Sequence, residues 1–219
     1  SYKDLLDILK TSAYEAGIKR IAIVGGVVRD QLINHYFKGS LQNLKDLDLV
    51  VEGSVHLFAE KIIENIGNRR GSIIRKHHSY KTIEMKIDEL LIDVATARLE
   101  VYSTPGENPN ITTTSLEKDL YRRDFTINAI AIDIKSNKLI DLYKGIDAIK
   151  NRKIHFIHSQ SVKEDPTRII RGARYAARCN FELTAESLDQ IQSTIAEWPW
   201  PLNSKKNTLH APPALGTRL

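Results

Sequence analysis

The stretch "KDLDLVVEGS", residues 45–54, sets the tightest condition on how this chain folds. Leu47, Leu49, Val50 and Val51 make it apolar enough for a core strand, yet Asp46 and Asp48 sit inside it. Side chains alternate across a strand, so both acids leave by one face while Leu47, Leu49 and Val51 leave by the other. Two like charges this close repel unless a cation lies between them. Hard carboxylate oxygens suit Mg²⁺, which takes one or two carboxylates and completes its shell with water and phosphate. An edge strand with one wet face would carry the same pattern, so the pair gains meaning only from its neighbours.

Three further segments supply that meaning. In "VGGVVRD" a strand meets two glycines and a helix start. Gly25 and Gly26 let backbone N–H groups approach a phosphate, and the helix N-terminus adds a favourable dipole. No Lys-Ser/Thr follows and a third glycine is missing, which excludes a Walker loop and a dinucleotide fingerprint. Arg29 falls in the first helical turn, near whatever the glycines hold; a surface ion pair with Asp30 is its alternative role. In "YRRDFTINAIAID", Asp124 is placed to cap a helix through the N–H groups of "FTI", and Arg123 to reach a phosphate or ribose. In "EDPTRIIRGARYAARC", Pro166 suits a first helical turn. At about 100° per residue, Arg168, Arg171, Arg174 and Arg178 gather on about a third of that helix, with Ile169, Ile170, Ala173, Ala176 and Ala177 opposite. No acid interleaves with these arginines, and guanidinium groups in a row suit phosphate or carboxylate. Asp165 stands at the N-terminal end of the stripe.

The remaining pattern predicts an α+β chain. Helices are expected over residues 2–16, 27–37 and 54–67, the last ended by Gly67, with a strand over 18–24. Residues 72–98 alternate and predict two or three antiparallel strands. Adjacent His77 and His78 then point to opposite faces, one buried and one exposed, rather than to a metal. Residues 99–118 hold Pro105, Gly106, Pro109 and a Ser/Thr cluster, and predict a long loop. The segment from Asp124 predicts a helix or strand entering a hairpin around Ser136 and Asn137. A second helical region runs to about Ile195, followed by a Pro-broken polar linker over 197–215. The net charge of +5 fits a polyanion partner but does not by itself require one. Cys179 is the only cysteine, which excludes an internal disulfide and suggests a reducing, cytoplasmic compartment. No apolar run approaches the roughly 18 residues of a membrane span.

Taken together, "GGVVRD", "DLD", "IDVATAR", "RRDFTINAIAID", "DLYKGIDAI" and "EDPTRIIRGARYAAR" resemble the class II tRNA nucleotidyltransferases, the CCA-adding enzymes, and the related bacterial poly(A) polymerases. The six motifs stand in that family's order over about residues 20–195. The resemblance implies a nucleotidyltransferase head over residues 1–157, with a mixed or antiparallel sheet and flanking helices. A helical neck segment over 158–219 would follow, expected to be cut short before the body and tail. It implies that Asp46 and Asp48 bind a catalytic Mg²⁺. Gly26 and Arg29, with Gly25 beside them, would hold a nucleoside triphosphate, and Arg123 would contact it. Asp165 and Arg168 would read the base, and Arg171 and Arg174 would complete the site. Asp124 and Asp93 are secondary candidates.

The activity implied is untemplated addition of CMP and AMP, from CTP and ATP, to the tRNA 3′ end. The length of residues 99–118 favours CCA addition over CC addition. A-adding and poly(A)-adding enzymes are further alternatives, and intact Asp46 and Asp48 argue against a binding module that has lost catalysis. Lys144 stands where the family often has the first of two glycines, so that turn is expected to be less constrained.

Overall fold

The alternation read in the carboxylate strand is the organising feature of the fold. The computed structural model describes residues 2–39, 44–103 and 108–197. Helix α1 (Tyr2–Glu15) is followed by β1 (Arg20–Val24), α2 (Gly26–Phe37), β2 (Asp46–Glu52) and α3 (Val55–Ile66). Then come β3 (Gly71–His77), β4 (Thr82–Ile87), β5 (Leu90–Thr96), β6 (Arg98–Val101) and β7 (Asn110–Thr113). After α4 (Leu116–Tyr121) and a 3-10 turn (Thr126–Asn128), β8 (Ile130–Asp133) and β9 (Lys138–Asp141) form the hairpin expected at Ser136 and Asn137, with Asn137 left-handed at φ 55°. The last elements are α5 (Gly145–Lys150), β10 (Lys153–Ile154), α6 (Ser161–Glu164), α7 (Thr167–Cys179), β11 (Glu182–Leu183) and α8 (Ala185–Ala196).

Seven strands form one mixed sheet in the order β3-β4-β5-β2-β1-β8-β9. Within it β2 runs parallel to β5, and the other neighbours pair antiparallel. Leu47, Leu49 and Val51 leave β2 on the face that α1 and α3 cover, packing among Ile21, Ile92, Leu9 and Phe58. Val50 leaves on the other face, into a smaller core with Ala22, Val24 and the α4 residues Leu116 and Leu120. Asp46 and Asp48 share the face of Val50, toward the start of the strand, where Asp46 is exposed and Asp48 half-buried. Apolar burial on one side therefore holds two acids at the surface on the other.

A third core joins the two halves of the chain. Phe125, Ile127, Ile149 and Phe156 pack with Val162 and Phe181, and β10 pairs parallel with β11. Helix α7 enters this core along Ile169, Gly172, Ala176 and Cys179, the i, i+3, i+7 spacing of one helical face. The apolar face expected opposite the arginines is only partly used, because Ile170 is 56% exposed.

Two expectations are corrected, and a third lies outside the described residues. Residues 99–118 are not one loop: β6 and β7 pair antiparallel from Arg98↔Thr113 to Val101↔Asn110 and α4 follows, with 104–107 outside the described residues. Two short runs on either side of Pro105 and Gly106 in the sequence are a hairpin signal that the loop composition hides. His77 and His78 are both exposed, since β3 is an edge strand with a wet outer face, and His78 stacks on His56 at 5.1 Å. The linker over 197–215 lies outside the described residues except for Glu197.

The turn at Lys144 is also more constrained than expected. Lys144 is left-handed at φ 58°, and a Cβ on Gly145 would lie 2.3 Å from the Thr126 carbonyl oxygen. The Asp141 carboxylate fixes the turn by accepting from the N–H groups of Gly145 and Ile146 at 2.7 and 2.9 Å. A non-glycine residue in this region costs about 1–2 kcal/mol, against about 0.4–1 kcal/mol of unfolded-chain entropy that glycine adds back. Lys144→Gly is therefore expected to raise stability by about 0.5–1 kcal/mol, measured by denaturant unfolding; a loss of stability would show that the lysine side chain contributes more than its backbone costs.

Candidate functional site

The site begins where β1 ends. Val24 pairs with Asp48 across the sheet, and the chain then turns sharply at Gly25, φ 75°, into α2. A Cβ on Gly25 would stand 2.6 Å from Asp48 Oδ2, so both the dihedral and the neighbouring carboxylate require glycine. The Gly26 N–H donates to the Asp48 carboxylate. Part of the anion-binding capacity expected of this helix N-terminus is thus spent on the protein's own acid.

Asp93 pairs with Asp48 from β5, on the same face of the sheet. Burial pushes the Asp48 carboxyl up, Asp46 adds to this, and the Arg123 charge opposes it. Burial likewise raises Asp93, with Asp48 and Glu84 adding. Charge of one sign is thus crowded onto this face. Among the described residues no group of three or more His, Cys, Asp or Glu side chains stands ready to hold a metal ion. The donor set is a pair of hard oxygen ligands rather than a closed cage, which fits a cation that shares its shell with water and phosphate.

Asp48 faces a cavity of about 610 Å³. Gly25, Gly26, Arg123, Asp124, Asp165, Arg168 and Arg171 line it, as the motifs predicted. Arg98, Glu100, Tyr102, Arg122, Asn128 and Tyr175 also line it, with Tyr80, Asn108, Pro109 and Thr167. The motifs give the first six of these no role in the site; the pairing of β6 with β7 carries two of them, Arg98 and Glu100.

Asp124 is the hub of the wall. Its Oδ1 accepts from the Phe125 N–H at 2.8 Å, the cap expected, and from Asn128 Nδ2 at 2.9 Å. Its Oδ2 accepts from Arg171 Nε and an Arg171 terminal nitrogen at 2.8 and 2.6 Å. Burial pulls the Arg171 guanidinium pKa down, but Asp124 outweighs this and the net shift is upward. Arg29 is not at the cavity surface but behind it. It is 2% exposed, bonded through Nε to Asp30 and through a terminal nitrogen to Asn128 Oδ1, both at 2.8 Å, with its guanidinium 4.9 Å from the Tyr175 ring centre. The ion pair with Asp30 exists, but Arg29 is buried in it.

The arginine stripe also differs from the reading on its helix alone. Arg168 is 4% exposed and donates to the carbonyls of Ser161 and Arg122 at 3.2 and 2.7 Å. Arg178 reaches Asp30 at 3.1 Å, and Arg174 is exposed, outside the cavity lining. The acids that partner Arg171 and Arg178 come from other segments, which spacing within α7 cannot show. The Asp165 carboxylate caps α7, accepting from the Thr167 N–H and hydroxyl at 3.1 and 2.6 Å.

Fully buried Asp119 accepts from Arg122 and Arg123 at 2.8 and 3.1 Å. Burial pushes its carboxyl up, but the two arginines outweigh that and hold it low. Glu100 accepts from Arg98, Arg122 and the Tyr102 hydroxyl. Burial, with the Glu100 charge, pushes the Tyr102 phenol well up, so it stays protonated. Arg123 Nε remains buried without a hydrogen-bond partner at the cavity wall. A cationic donor left unmet there is matched to an anionic ligand.

An acid face beside a glycine turn, opening onto a guanidinium-walled cavity, is a cleft for a polyphosphate and a hard cation. Residues 21–155 match the poly(A) polymerase head domain, and the chain belongs to that family. It is 39% identical over 179 residues to an A-adding tRNA nucleotidyltransferase of Aquifex aeolicus, spanning 80% of this chain and 20% of that protein. It is 32% identical over 180 residues to a CC-adding tRNA nucleotidyltransferase of Deinococcus radiodurans, spanning 80% of this chain and 45% of that protein. Among solved structures, a CCA-adding enzyme superposes with a TM-score of 0.78 at 34% identity, over 89% of this chain and 44% of that one. A tRNA nucleotidyltransferase complexed with a primer tRNA and an incoming ATP analog gives 0.71 at 33% identity, over 86% and 50%. The chain thus spans half or less of each of these proteins.

The raised Asp48 carboxyl has a consequence for stability. A folded-state pKa above the unfolded value costs nothing at low pH; the cost grows as the pH rises and is complete above the folded value. Asp48→Asn keeps an acceptor for the Gly26 N–H and removes the charge. In metal-free buffer at pH 7 it is expected to raise Tm by about 2–4 °C, the equivalent of about 1 kcal/mol for a domain of this size, and the gain should vanish near pH 3. An unchanged or lower Tm at pH 7 would contradict the like-charge crowding.

Proposed function

We propose that this chain carries the nucleotide-transferring head of a tRNA 3′-end nucleotidyltransferase, residues 1–157, and the start of a helical segment, 158–219, that selects the incoming nucleotide. The observation that carries the reading is the acid face of β2 beside a cavity whose Arg123 Nε lacks a partner. The substrates proposed are CTP, ATP and a tRNA ending before its CCA. No helix among the described residues is long and apolar enough to cross a membrane, and the single Cys179 suits a reducing compartment such as the cytoplasm.

In this reading Asp46 and Asp48 hold a divalent cation, Mg²⁺ by the hardness of their oxygens. When bound, the cation offsets charge on the reacting phosphate and makes the attacking hydroxyl easier to deprotonate. Arg123 and Arg171 hold the triphosphate, with Arg171 steadied by Asp124 and Arg29 supporting both Asn128 and Tyr175 from behind. The RNA 3′ hydroxyl gives up its proton to water as its oxygen attacks the α-phosphorus in line; the bond from that phosphorus to the bridging β-phosphate oxygen breaks, and pyrophosphate leaves. Asp165 only accepts and Arg168 only donates. Cytosine and adenine present an amino donor beside a ring-nitrogen acceptor, whereas guanine and uracil present the reverse order. One Asp–Arg pair thus admits C and A without a template.

Full CCA addition is the leading reading, supported by the length of the 99–118 segment. Addition of the terminal A alone is the second, favoured by the 39% identity to the Aquifex protein. A tRNA ending before CCA, given labelled CTP and ATP separately and together, separates CCA, CC, A-only and poly(A) products by length.

Asp46→Ala or Asp48→Ala is expected to lower turnover at least about 10³-fold while the protein stays folded; unchanged turnover in either would remove the metal assignment. Asp165→Ala with Arg168→Ala is expected to admit G and U. Incorporation still limited to C and A would refute the base-reading pair.

A further inference from the structure

An aromatic stack stands outside the cavity wall. The Tyr121 ring lies on the His158 ring at 4.7 Å and 19°, and Tyr143 meets Tyr121 at 5.9 Å and 53°. Tyr121 is 44% exposed even though His158 stacks on one of its faces, so part of the ring remains open to a ligand. The support beneath it is fixed. Gln190 donates to the His158 carbonyl at 3.1 Å, the His158 N–H donates to Ser161 Oγ at 3.4 Å, and Glu164 lies 3.4 Å from its Nε2. Burial, with the Arg168 charge, lowers the His158 pKa to about 4, so the ring is neutral at physiological pH.

Two connections tie the stack to the cavity. Tyr121 precedes Arg122, and the Arg122 carbonyl accepts from Arg168; both arginines line the cavity. Exposed Lys118 lies one helical turn before Tyr121, and exposed Lys144 follows Tyr143. An exposed aromatic ring with exposed cations near it in the chain matches the bases and phosphates of a single strand.

We propose that Tyr121, backed by His158, is a stacking platform for a base at the 3′ end of the RNA whose hydroxyl enters the cavity. This deepens the transferase reading and rests on it for the choice of RNA over another macromolecule. Ring stacking tolerates any base, so the platform would hold the growing end through successive additions, while base choice stays with the cavity.

The test uses the whole chain and a short RNA with 2-aminopurine at its 3′ terminus, in metal-free and nucleotide-free buffer. Binding is read by anisotropy and stacking by fluorescence quenching. Tyr121→Ala is expected to weaken binding about tenfold and abolish the quenching, while Tyr121→Phe and Tyr121→Trp retain both. ATP binding should be unchanged in all three variants. Equal RNA binding and quenching by wild type and Tyr121→Ala, or equal losses in Tyr121→Phe and Tyr121→Ala, would overturn the platform. Because no transfer is measured, inactive wild-type protein that shows this pattern would fail the transferase reading alone. Active protein without the pattern would fail the platform alone.

Discussion

The Asp124 carboxylate is the contact on which the cleft depends. It accepts from its own turn, from Asn128 and from two nitrogens of Arg171, so it ties the 3-10 turn after α4 to helix α7. Asn128 in turn accepts from Arg29 on α2, the helix that begins at the glycine turn. Three chain segments far apart in sequence therefore meet through one buried acid. Neutral partners would leave more freedom; charge-assisted bonds fix direction as well as distance. The shared core of Phe125, Phe156 and Phe181 supplies cohesion, and the polar chain above it supplies alignment.

Around this hub the charges divide into two kinds. Asp119 and Glu100 are answered by Arg98, Arg122 and Arg123, which makes one wall of the cavity an ion-pair network with only Arg123 Nε left over. Asp46, Asp48 and Asp93 crowd together instead, and the Gly26 N–H and the more distant Arg123 and Arg29 only partly offset Asp48. Satisfied acids hold structure in place, whereas crowded ones mark where a cation would be welcome. The ribbon of β6 and β7 belongs to the first kind: through Arg98 and Glu100 it is bonded to α4 and to the RRD segment. A stretch that composition marks as a loop thus forms part of the cavity wall.

Most of the candidate site was legible because its devices are local. Alternation put Asp46 and Asp48 on one face, the glycine pair announced a strand-to-helix turn, and Asp124 capped the turn that follows it. The errors share one cause. The position of Arg29 in the first turn points to a ligand contact because it says nothing of Asn128, 99 residues away, or of Tyr175. The arginines of α7 look unneutralised along the chain because Asp124 and Asp30 come from other segments. Lys144 looks like a relaxed turn in the sequence because the Asp141 cap and the packing of Gly145 against Thr126, which accompany its left-handed dihedral, are not visible there.

The sequence by itself determined the strand that carries the acids, the turn beside it and the helix that carries the arginines, since period, glycine conformation and capping act over a few residues. The tertiary structure decided which guanidinium groups face the cavity and which are consumed as struts. That choice depends on acids brought from distant segments, and a buried charge settles beside the partner that compensates its lost water, wherever in the chain that partner lies.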